Sequence, residues 1–326
     1  MRYRDLSVKK ILKELLKPKK TLILCHRSPD ADAIGSALAL SLFLRSKGKE
    51  AYCLCQDEIP QRLRFLADGI QESLLPESCP AGFEGASVVT VDSASPEQLG
   101  TLYKQFGARI TLMIDHHGTG IRYADGLVRG EAAACGEILY DIFAAAGKKL
   151  PEGCATLLYA AIASDTGGFR HSNTTAETHV RAAALVKEGI DVAELSHRLF
   201  GIRSMAELRA ERLGFDKLHL FDDGKIGISS ISFEDKQFNK LCDEDLSTVV
   251  DVVRSVSGVE IAVAIRQPQN DTTFRVSMRA NVDFNVAAVC AEFGGGGHRR
   301  AAGATLIARD TEEAERLILA AIHKRR

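Results

Sequence analysis

The sequence predicts an α/β protein: an N-terminal, mostly parallel sheet flanked by helices, joined by a linker helix to a smaller C-terminal α+β domain. Short apolar strands alternate with helical segments through the first half of the chain, which is typical of a parallel sheet covered on both faces. Beyond residue 220, strands are instead separated by turn-forming residues. A chain of 326 residues also suits two cores better than one. We therefore place the domains at 1–190 and 221–326, with a helical linker at 191–220.

The elements of the first domain follow from apolar periodicity. The chain opens with an amphipathic helix, whose apolar face is formed by Val8, Ile11, Leu12, Leu15 and Leu16. Four apolar runs are predicted as strands, at 21–25, 51–55, 87–91 and 109–114. Helices are predicted at 34–47, 135–146 and 151–163.

The second domain is predicted to contain three strands and a closing helix. The strands lie within 224–233, 259–267 and 272–280, with turns at Asp223-Gly224 and Asn270-Asp271. Asp310 can cap the closing helix and Glu313 can complete a capping box. The buried face of this helix is predicted to be Ala314, Leu317, Ile318, Ala321 and Ile322.

Charge and composition limit the ligand and the compartment. Lysine and arginine number 42 and aspartate and glutamate 43, whereas a protein that coats long duplex nucleic acid is usually basic. A nucleotide ligand would therefore be short and held locally. The eight cysteines form no C-x-x-C pair and are predicted to be reduced core thiols. No run approaches the ~20 apolar residues of a membrane span, so we expect a cytoplasmic protein without membrane contact.

Acidic and imidazole side chains follow the predicted strands and one helix directly. They are His26, Asp30 and Asp32 after the first strand, Asp92 after the third, Asp115, His116 and His117 after the fourth, and Asp165 after the helix at 151–163. Ligands of parallel sheets bind beyond the carboxyl ends of the strands. These four segments should therefore meet at one edge of the sheet.

A simpler interpretation exists for each segment alone. An aspartate after a strand is usually a helix cap or a turn former, so Asp30 and Asp32 could merely open the next helix. Taken together, however, several carboxylates in one place repel each other and are costly to desolvate, unless cations balance them. Carboxylates with imidazoles and no cysteine predict manganese, with magnesium, cobalt or iron as alternatives. One bridging carboxylate would allow two ions to bind.

Five segments of the chain carry a family resemblance. They read HRSPDADAIGS at 26–36, VDS at 91–93, DHHGTG at 115–120, SDTGGFR at 164–170 and GGGGHRRAAG at 294–303. In this order they resemble the DHH phosphoesterase superfamily with its DHH-associated C-terminal domain. The arrangement is most similar to the NrnA-like group of bifunctional oligoribonucleases and pAp phosphatases, where pAp is 3′-phosphoadenosine 5′-phosphate.

The resemblance implies a site for two divalent metal ions. One ion would be held by His26, Asp30 and Asp92, and the other by Asp32, Asp92, His116 and Asp165. Asp92 would bridge the two ions. His117 would lie beside the phosphate, and Asp115 would fix the imidazoles by hydrogen bonding, as metal-bound histidines usually require. The expected catalytic residues are therefore Asp92, Asp115 and His117.

The resemblance also implies phosphate contacts. A glycine run can approach a ligand closely and present backbone N–H groups to an anion, although a bare run of glycines could equally be a hinge. Arg279 resembles the family's second-domain arginine, whose fork suits a terminal phosphate; a surface arginine of a strand is the alternative. The expected substrate contacts are Gly295, Gly296, Gly297, His298, Arg279 and Arg170.

The expected function is two-metal hydrolysis of short oligoribonucleotides and linear dinucleotides to nucleoside monophosphates, and of pAp to AMP, in a cleft between the domains. The alternatives are a single-strand exonuclease, a cyclic-dinucleotide phosphodiesterase, an inorganic pyrophosphatase and a nucleotide-binding regulatory module without turnover. By analogy with the family, a homodimer is plausible.

Overall fold

The computed structural model describes residues 3–68, 78–147 and 149–326. It divides into two compact units, Met1–Ile202 and Arg203–Arg326. The first unit is built on a five-stranded parallel sheet with helices, and the second on a six-stranded mixed sheet with helices. The predicted fold class is therefore confirmed.

The sheet of the first unit has the order β2-β1-β3-β4-β5, and all its neighbouring strands are parallel. Its strands are β1 Lys20–Leu24, β2 Glu50–Leu54, β3 Ser87–Val91, β4 Ile110–Asp115 and β5 Gly126–Val128. The first four match the predicted apolar runs. The sequence did not predict β5, which has only three residues and so leaves no periodicity to detect.

Among the described residues of the first unit, the α-helices are α1 Val8–Leu15, α2 Ala31–Ser46, α3 Thr101–Phe106, α4 Cys135–Ala146, α5 Cys154–Asp165, α6 Ala176–Val186 and α7 Val192–Ser196. Two predicted boundaries were wrong. Helix α2 begins three residues early, because Asp30 caps it by accepting a hydrogen bond from the N–H of Ala33. Helix α5 includes Asp165 in its last turn, so this carboxylate lies on a helix rather than on a loop after it.

Alternating side chains of the parallel strands pack into two cores, as the pleat requires. Ile23, Val89 and Ile114 point into the larger core with α2, α4 and α5. Leu22 and Val88 point into the smaller core on the opposite face, with α3. Within the larger core, α2 and α5 approach closely at a glycine, Gly35.

The sheet of the second unit has the order β10-β11-β9-β8-β7-β6, with only β7 and β8 parallel among its neighbouring strands. Its strands are β6 Leu218–Phe221, β7 Ile226–Ile231, β8 Ile261–Arg266, β9 Thr273–Ala280, β10 Gly296–His298 and β11 Ala301–Ile307. Its helices are α8 Met205–Asp216, α9 Phe233–Phe238, α10 Val249–Arg254, α11 Val286–Ala291 and α12 Thr311–His323. The sequence did not predict β6, β10 or β11.

Each face of this second sheet carries its own helices. Helices α11 and α12 pack with β7, β8 and β9 on one face. On the other face, α8 packs through Ala210 and Leu213 with Val250 and Val253 of α10 and with the small residue Ala262 of β8. The helix predicted as a linker is α8, and it belongs to the second unit.

Three smaller predictions were wrong. Asp310 caps α12 as expected, but the Glu313 carboxylate accepts the N–H of Arg309, so no reciprocal capping box forms. Leu317 is exposed, whereas the other four residues of the predicted face are buried. Not all cysteines are core thiols, because Cys242 is exposed, although all eight are free. Within the described residues, no helix is long and apolar enough to cross a bilayer.

Candidate metal centre

Asp92 lies at the centre of the acidic cluster in the first unit. It follows β3 with a backbone φ of 51°, a left-handed conformation that aspartate tolerates better than most residues. Its N–H donates to Ile114 O, which extends the β3–β4 ladder by one residue. The side chain is 2% exposed, with Oδ2 3.5 Å from His26 Nε2 and Oδ1 3.4 Å from His116 Nε2. The two carboxylate oxygens therefore face different imidazoles.

The first group of potential metal ligands is His26, Asp30 and Asp92, whose ligand atoms all lie within 4.8 Å of one another. His26 Nδ1 is 2.8 Å from Arg27 O and donates a hydrogen bond to it, because a carbonyl oxygen can only accept. In the neutral ring, Nε2 therefore carries the lone pair, and it faces the two carboxylates. Asp30 Oδ2 lies 3.7 Å from His26 Nε2, while its Oδ1 caps α2. Capping and metal binding are thus compatible in Asp30.

The second group is Asp32, Asp92 and His116, again within 4.8 Å of one another. His116 Nε2 is 3.8 Å from Asp32 Oδ2 and 3.3 Å from Asp165 Oδ2. The other ring nitrogen of His116, Nδ1, is 3.4 Å from Ala132 O. Four predicted ligands from α2, β3, β4 and α5 therefore meet here.

The residues that hold Asp32 were not predicted. Its Oδ2 accepts from the N–H of Cys135, and its Oδ1 accepts from the N–H of Gly136 and from the Ser36 hydroxyl. Two of these donors are the first N–H groups of α4, where the helix dipole favours a negative charge. Only Ser36, one helical turn after Asp32, could have been noticed in the sequence.

Two further side chains hold the backbone at Asp165. Asn173 Nδ2 donates to Asp165 O at 3.1 Å and also to Ala133 O. His171 is half-buried, and its Nδ1 lies 3.4 Å from Asp165 O. These contacts fix the end of α5 relative to the loop before α4.

Asp115 and His117 form a pair beside the two groups. Asp115 Oδ1 accepts a hydrogen bond from His117 Nδ1 at 2.8 Å and from the N–H of His116 at 2.9 Å. His117 Nδ1 is also 3.7 Å from Asp92 Oδ1. The end of β4 therefore fixes the orientation of the His117 ring and the backbone of His116 through one carboxylate.

The pKa shifts reflect crowded charges. Burial, followed by the charge of Asp92, raises the pKa of Asp32 to about 7. Burial and the charge of Asp32 raise the pKa of Asp165 well above its ordinary value. Burial opposes ionisation of Asp92 too, but His116 and His26 outweigh it and lower the pKa of Asp92. Burial disfavours the charged form of His26, yet Asp30 and Asp92 raise its pKa to about 12.

These residues fit a divalent cation. Five carboxylates surround three imidazoles: Asp30, Asp32, Asp92, Asp115 and Asp165 around His26, His116 and His117. When all five carboxylates are ionised, their negative charge exceeds the positive charge of the three rings even with every ring protonated. Asp92 Oδ1 is buried and makes no hydrogen bond to the described residues, which leaves it available to a cation. Burial raises the pKa of the neighbouring Cys135 thiol well above its ordinary value, so oxygen and nitrogen are the donors.

Comparison with known proteins gives the family. The model of the DHH family, N-terminal domain, matches residues 20–162, and that of the DHHA1 domain matches residues 223–324. The bifunctional oligoribonuclease and PAP phosphatase NrnA of Thermus thermophilus is 33% identical over 305 residues, which cover 93% of this chain and 89% of that protein. The chain belongs to the DHH family. The resemblance inferred from the five motifs is thereby confirmed.

Two further proteins are similar to this chain over most of its length. The bifunctional oligoribonuclease and PAP phosphatase NrnA of Bacillus subtilis is 28% identical over 90% of both chains. An exopolyphosphatase-related protein from Bacteroides fragilis has the same fold, with a TM-score of 0.87 and 22% identity over 97% of this chain and 95% of that one.

The predicted phosphate contacts of this DHH-family chain lie in both units. In the first unit, Arg170 is exposed, and its Nε donates to Gly167 O. In the second, Arg279 is half-buried on β9, and His298 ends β10 opposite Ala301. The glycine run joins α11 to β10.

Part of the glycine run already has hydrogen-bond partners. The N–H groups of Gly294 and Gly295 donate to carbonyls at the end of α11, as in many helix C-termini. Gly297 has a φ of 140°, and a Cβ there would lie 2.6 Å from Ala301 O, so this position requires glycine. Backbone conformation and lack of space therefore explain why position 297, in the hairpin of β10 and β11, is a glycine.

Proposed function

We propose that this DHH-family protein uses two divalent cations, with manganese favoured over magnesium and cobalt, to hydrolyse short oligoribonucleotides to nucleoside monophosphates and pAp to AMP. The observation that carries the proposal is the position of Asp92, which belongs to both ligand groups and turns one oxygen towards each. A carboxylate shared in this way suits a pair of ions. The substrate class is taken from the names of the NrnA relatives.

In this proposal, His26, Asp30 and Asp92 hold one ion, and Asp32, Asp92, His116 and Asp165 hold the other. When bound, the ions supply positive charge to the phosphate oxygens and lower the pKa of a water molecule. The chain itself orients two of these ligands, since backbone N–H groups hold Asp32 and a carbonyl orients His26. Such preorganisation reduces the reorganisation needed during the reaction.

His117 stabilises the charge that develops on the phosphate. Burial disfavours the protonated ring, but the hydrogen bond and charge of Asp115 outweigh it and raise the pKa of His117. A protonated ring held in one orientation can donate a hydrogen bond to a phosphate oxygen. Asp115 acts through His117 and is therefore a positioning residue.

The second unit supplies anion-binding groups in this proposal, namely Arg279, His298 and the glycine run, and Arg170 adds one from the first unit. Arginine binds phosphate through two parallel hydrogen bonds. The near-neutral chain, with 42 basic and 43 acidic residues, favours a ligand with few phosphates over a long strand.

A substrate panel tests the proposal. The purified protein is incubated with pAp, a diribonucleotide, a 20-mer, a cyclic dinucleotide and pyrophosphate, each with manganese or with EDTA, and the products are separated by chromatography. We expect nucleoside monophosphates from the dinucleotide and AMP from pAp, with manganese only. Faster cleavage of the 20-mer would identify a single-strand exonuclease instead, and the absence of any product would identify a binding module.

A variant pair assigns the products to the metal centre. Asp92→Asn should abolish turnover of both substrates. Asp125→Asn is the matched control, because Asp125 pairs with Arg4 outside the cluster and should leave turnover unchanged. Full activity of Asp92→Asn would exclude the shared-carboxylate site.

A further inference from the structure

A cavity of about 350 Å³ lies in the second unit, and of the expected substrate contacts it is lined by Gly295 but not by Arg279 or His298. Arg266, Arg275, Ser277, Phe293 and Thr305 line it, together with glycines of the run and of β11. Its volume is within the range of small-ligand sites. The cavity therefore has room for a nucleotide-sized group.

The floor of the cavity is one face of the sheet. Arg266 pairs with Arg275 across β8 and β9, and Arg275 pairs with Thr305 across β9 and β11. Ser277 follows Arg275 on the same face, since alternate residues of a strand point to the same side. Two arginines thus stand side by side with two hydroxyl groups next to them.

The arginines carry more positive charge than their neighbours neutralise. Asp243 Oδ2 lies 3.8 Å from Arg266 Nε and 3.8 Å from Arg275 Nη1, and its Oδ1 already accepts from the buried Lys236 at 2.7 Å. Three cations therefore share one carboxylate. Arg266 is the more constrained, with a side chain 20% exposed and a buried Nε that makes no hydrogen bond to the described residues.

A buried guanidinium without a full set of acceptors is unfavourable, because arginine stays charged and its N–H groups lose water. Burial lowers the pKa of Arg266, consistent with incomplete compensation. A bound anion would remove this deficit. Phosphate fits well, since the guanidinium fork matches its geometry and the Ser277 and Thr305 hydroxyls can donate as well. Phe293 offers an aromatic surface for a base or a ribose.

The cavity is related to Arg279 through β9. Arg275 and Arg279 are on the same face of this strand, four residues apart, which corresponds to about 13 Å along the strand. Parallel side chains at that spacing are too far apart for both forks to grip one phosphate. Arg275 and Arg279 can instead bind two different phosphates of one oligonucleotide.

We propose that the cavity formed by Arg266, Arg275, Ser277, Phe293 and Thr305 binds a second nucleotide phosphate of a short oligonucleotide whose other phosphate is held by Arg279. This inference rests on the proposed function, because it assumes an oligonucleotide substrate. It explains how one protein could distinguish a chain of three nucleotides, which reaches the cavity, from pAp, which is too short to do so.

Binding without metal tests the cavity independently of turnover. The 326-residue chain in EDTA is titrated calorimetrically with a 5′-phosphorylated triadenylate and with pAp. Arg275→Gln is the main variant, since Arg275 is 57% exposed and its loss should not impair folding. We expect it to weaken triadenylate binding about tenfold or more, with a much smaller change for pAp. Arg275→Lys should restore part of the affinity through its charge.

Arg316→Gln is the matched control, because Arg316 is an exposed arginine of the same unit whose partner is Glu313. Equal triadenylate affinity in Arg275→Gln and Arg316→Gln would overturn the proposal, as would equal losses for both ligands. If the wild-type protein binds triadenylate but never cleaves it, the hydrolase function fails while the cavity stands. If it does not bind triadenylate in EDTA, the cavity proposal fails.

Discussion

Replacement of Asp92 by asparagine is the sharpest perturbation of the candidate metal centre. The substitution keeps the volume of the side chain but removes the one carboxylate that belongs to both ligand groups. An amide can offer one weak oxygen donor, and its NH₂ group would face His26 or His116 on the other side. Asp92→Asn should therefore lose affinity at both ion sites rather than at one.

The size of the effect follows from linkage between binding and folding. A ligand present at 100 times its dissociation constant stabilises the folded state by about 2.7 kcal/mol. The ligands belong to the first unit, Met1–Ile202, and a domain of that size shifts its melting temperature by about 2–4 °C per kcal/mol. Each ion at that saturation should thus raise the Tm of the wild-type unit by about 5–11 °C. Asp92→Asn should show almost no shift.

Differential scanning fluorimetry with increasing manganese, starting from EDTA-treated protein, measures this directly. Asp125→Asn is the control and should retain the full shift, because its carboxylate pairs with Arg4 at the surface. A manganese-dependent shift of wild-type size in Asp92→Asn would refute the shared-ligand reasoning. A shift in neither protein would refute metal binding by the cluster itself.

Three further outcomes follow from the structure. Asp115→Asn should lower kcat about 10- to 100-fold, because His117 loses the carboxylate that orients its ring. The manganese-induced Tm shift should persist in this variant. If turnover and the Tm shift were both lost, Asp115 would be a metal ligand instead. Manganese affinity should rise about tenfold or more per pH unit for each ion between pH 6 and 8. The raised pKa values of Asp32 and His26 mean that binding displaces protons, which calorimetry in two buffers of different ionisation enthalpy can count; pH-independent affinity would contradict this. Gly35→Ala should lower the free energy of unfolding in urea by about 1–3 kcal/mol, because the new Cβ would lie 2.6 Å from a carbonyl oxygen of α5. Gly85→Ala is the control and should leave this free energy unchanged, because a Cβ there meets no atom within 4 Å.

The sequence was most informative where local pattern determines structure. Buried parallel strands are short continuous apolar runs, so four of the five strands in the first unit could be predicted. The hairpin of β10 and β11 could not, because a run of glycines has no side-chain periodicity and its pairing depends on residues across the sheet. The start of α2 was predicted too late because helix capping and metal binding were treated as alternative roles for Asp30. In the structure one oxygen caps the helix and the other faces His26.

The residues of the acidic cluster could be identified, but their supports could not. A side chain that follows a strand directly has a predictable place at the edge of the sheet. The donors to Asp32 are instead backbone N–H groups of Cys135 and Gly136, and any residue other than proline could supply them. The chemical identity of a residue therefore says nothing about this type of contact, which only the fold reveals.

Asp32 and Asp92 are both buried carboxylates, yet their pKa values shift in opposite directions. Asp92 lies between His26 and His116, whose protonated rings favour its charged form. Asp32 faces one imidazole and feels the negative charge of Asp92, so a proton is retained there up to about pH 7. The raised pKa values of His26 and Asp32 mean that a cation at either ligand group displaces a proton, whereas Asp92, the carboxylate that both groups share, already favours its charged form.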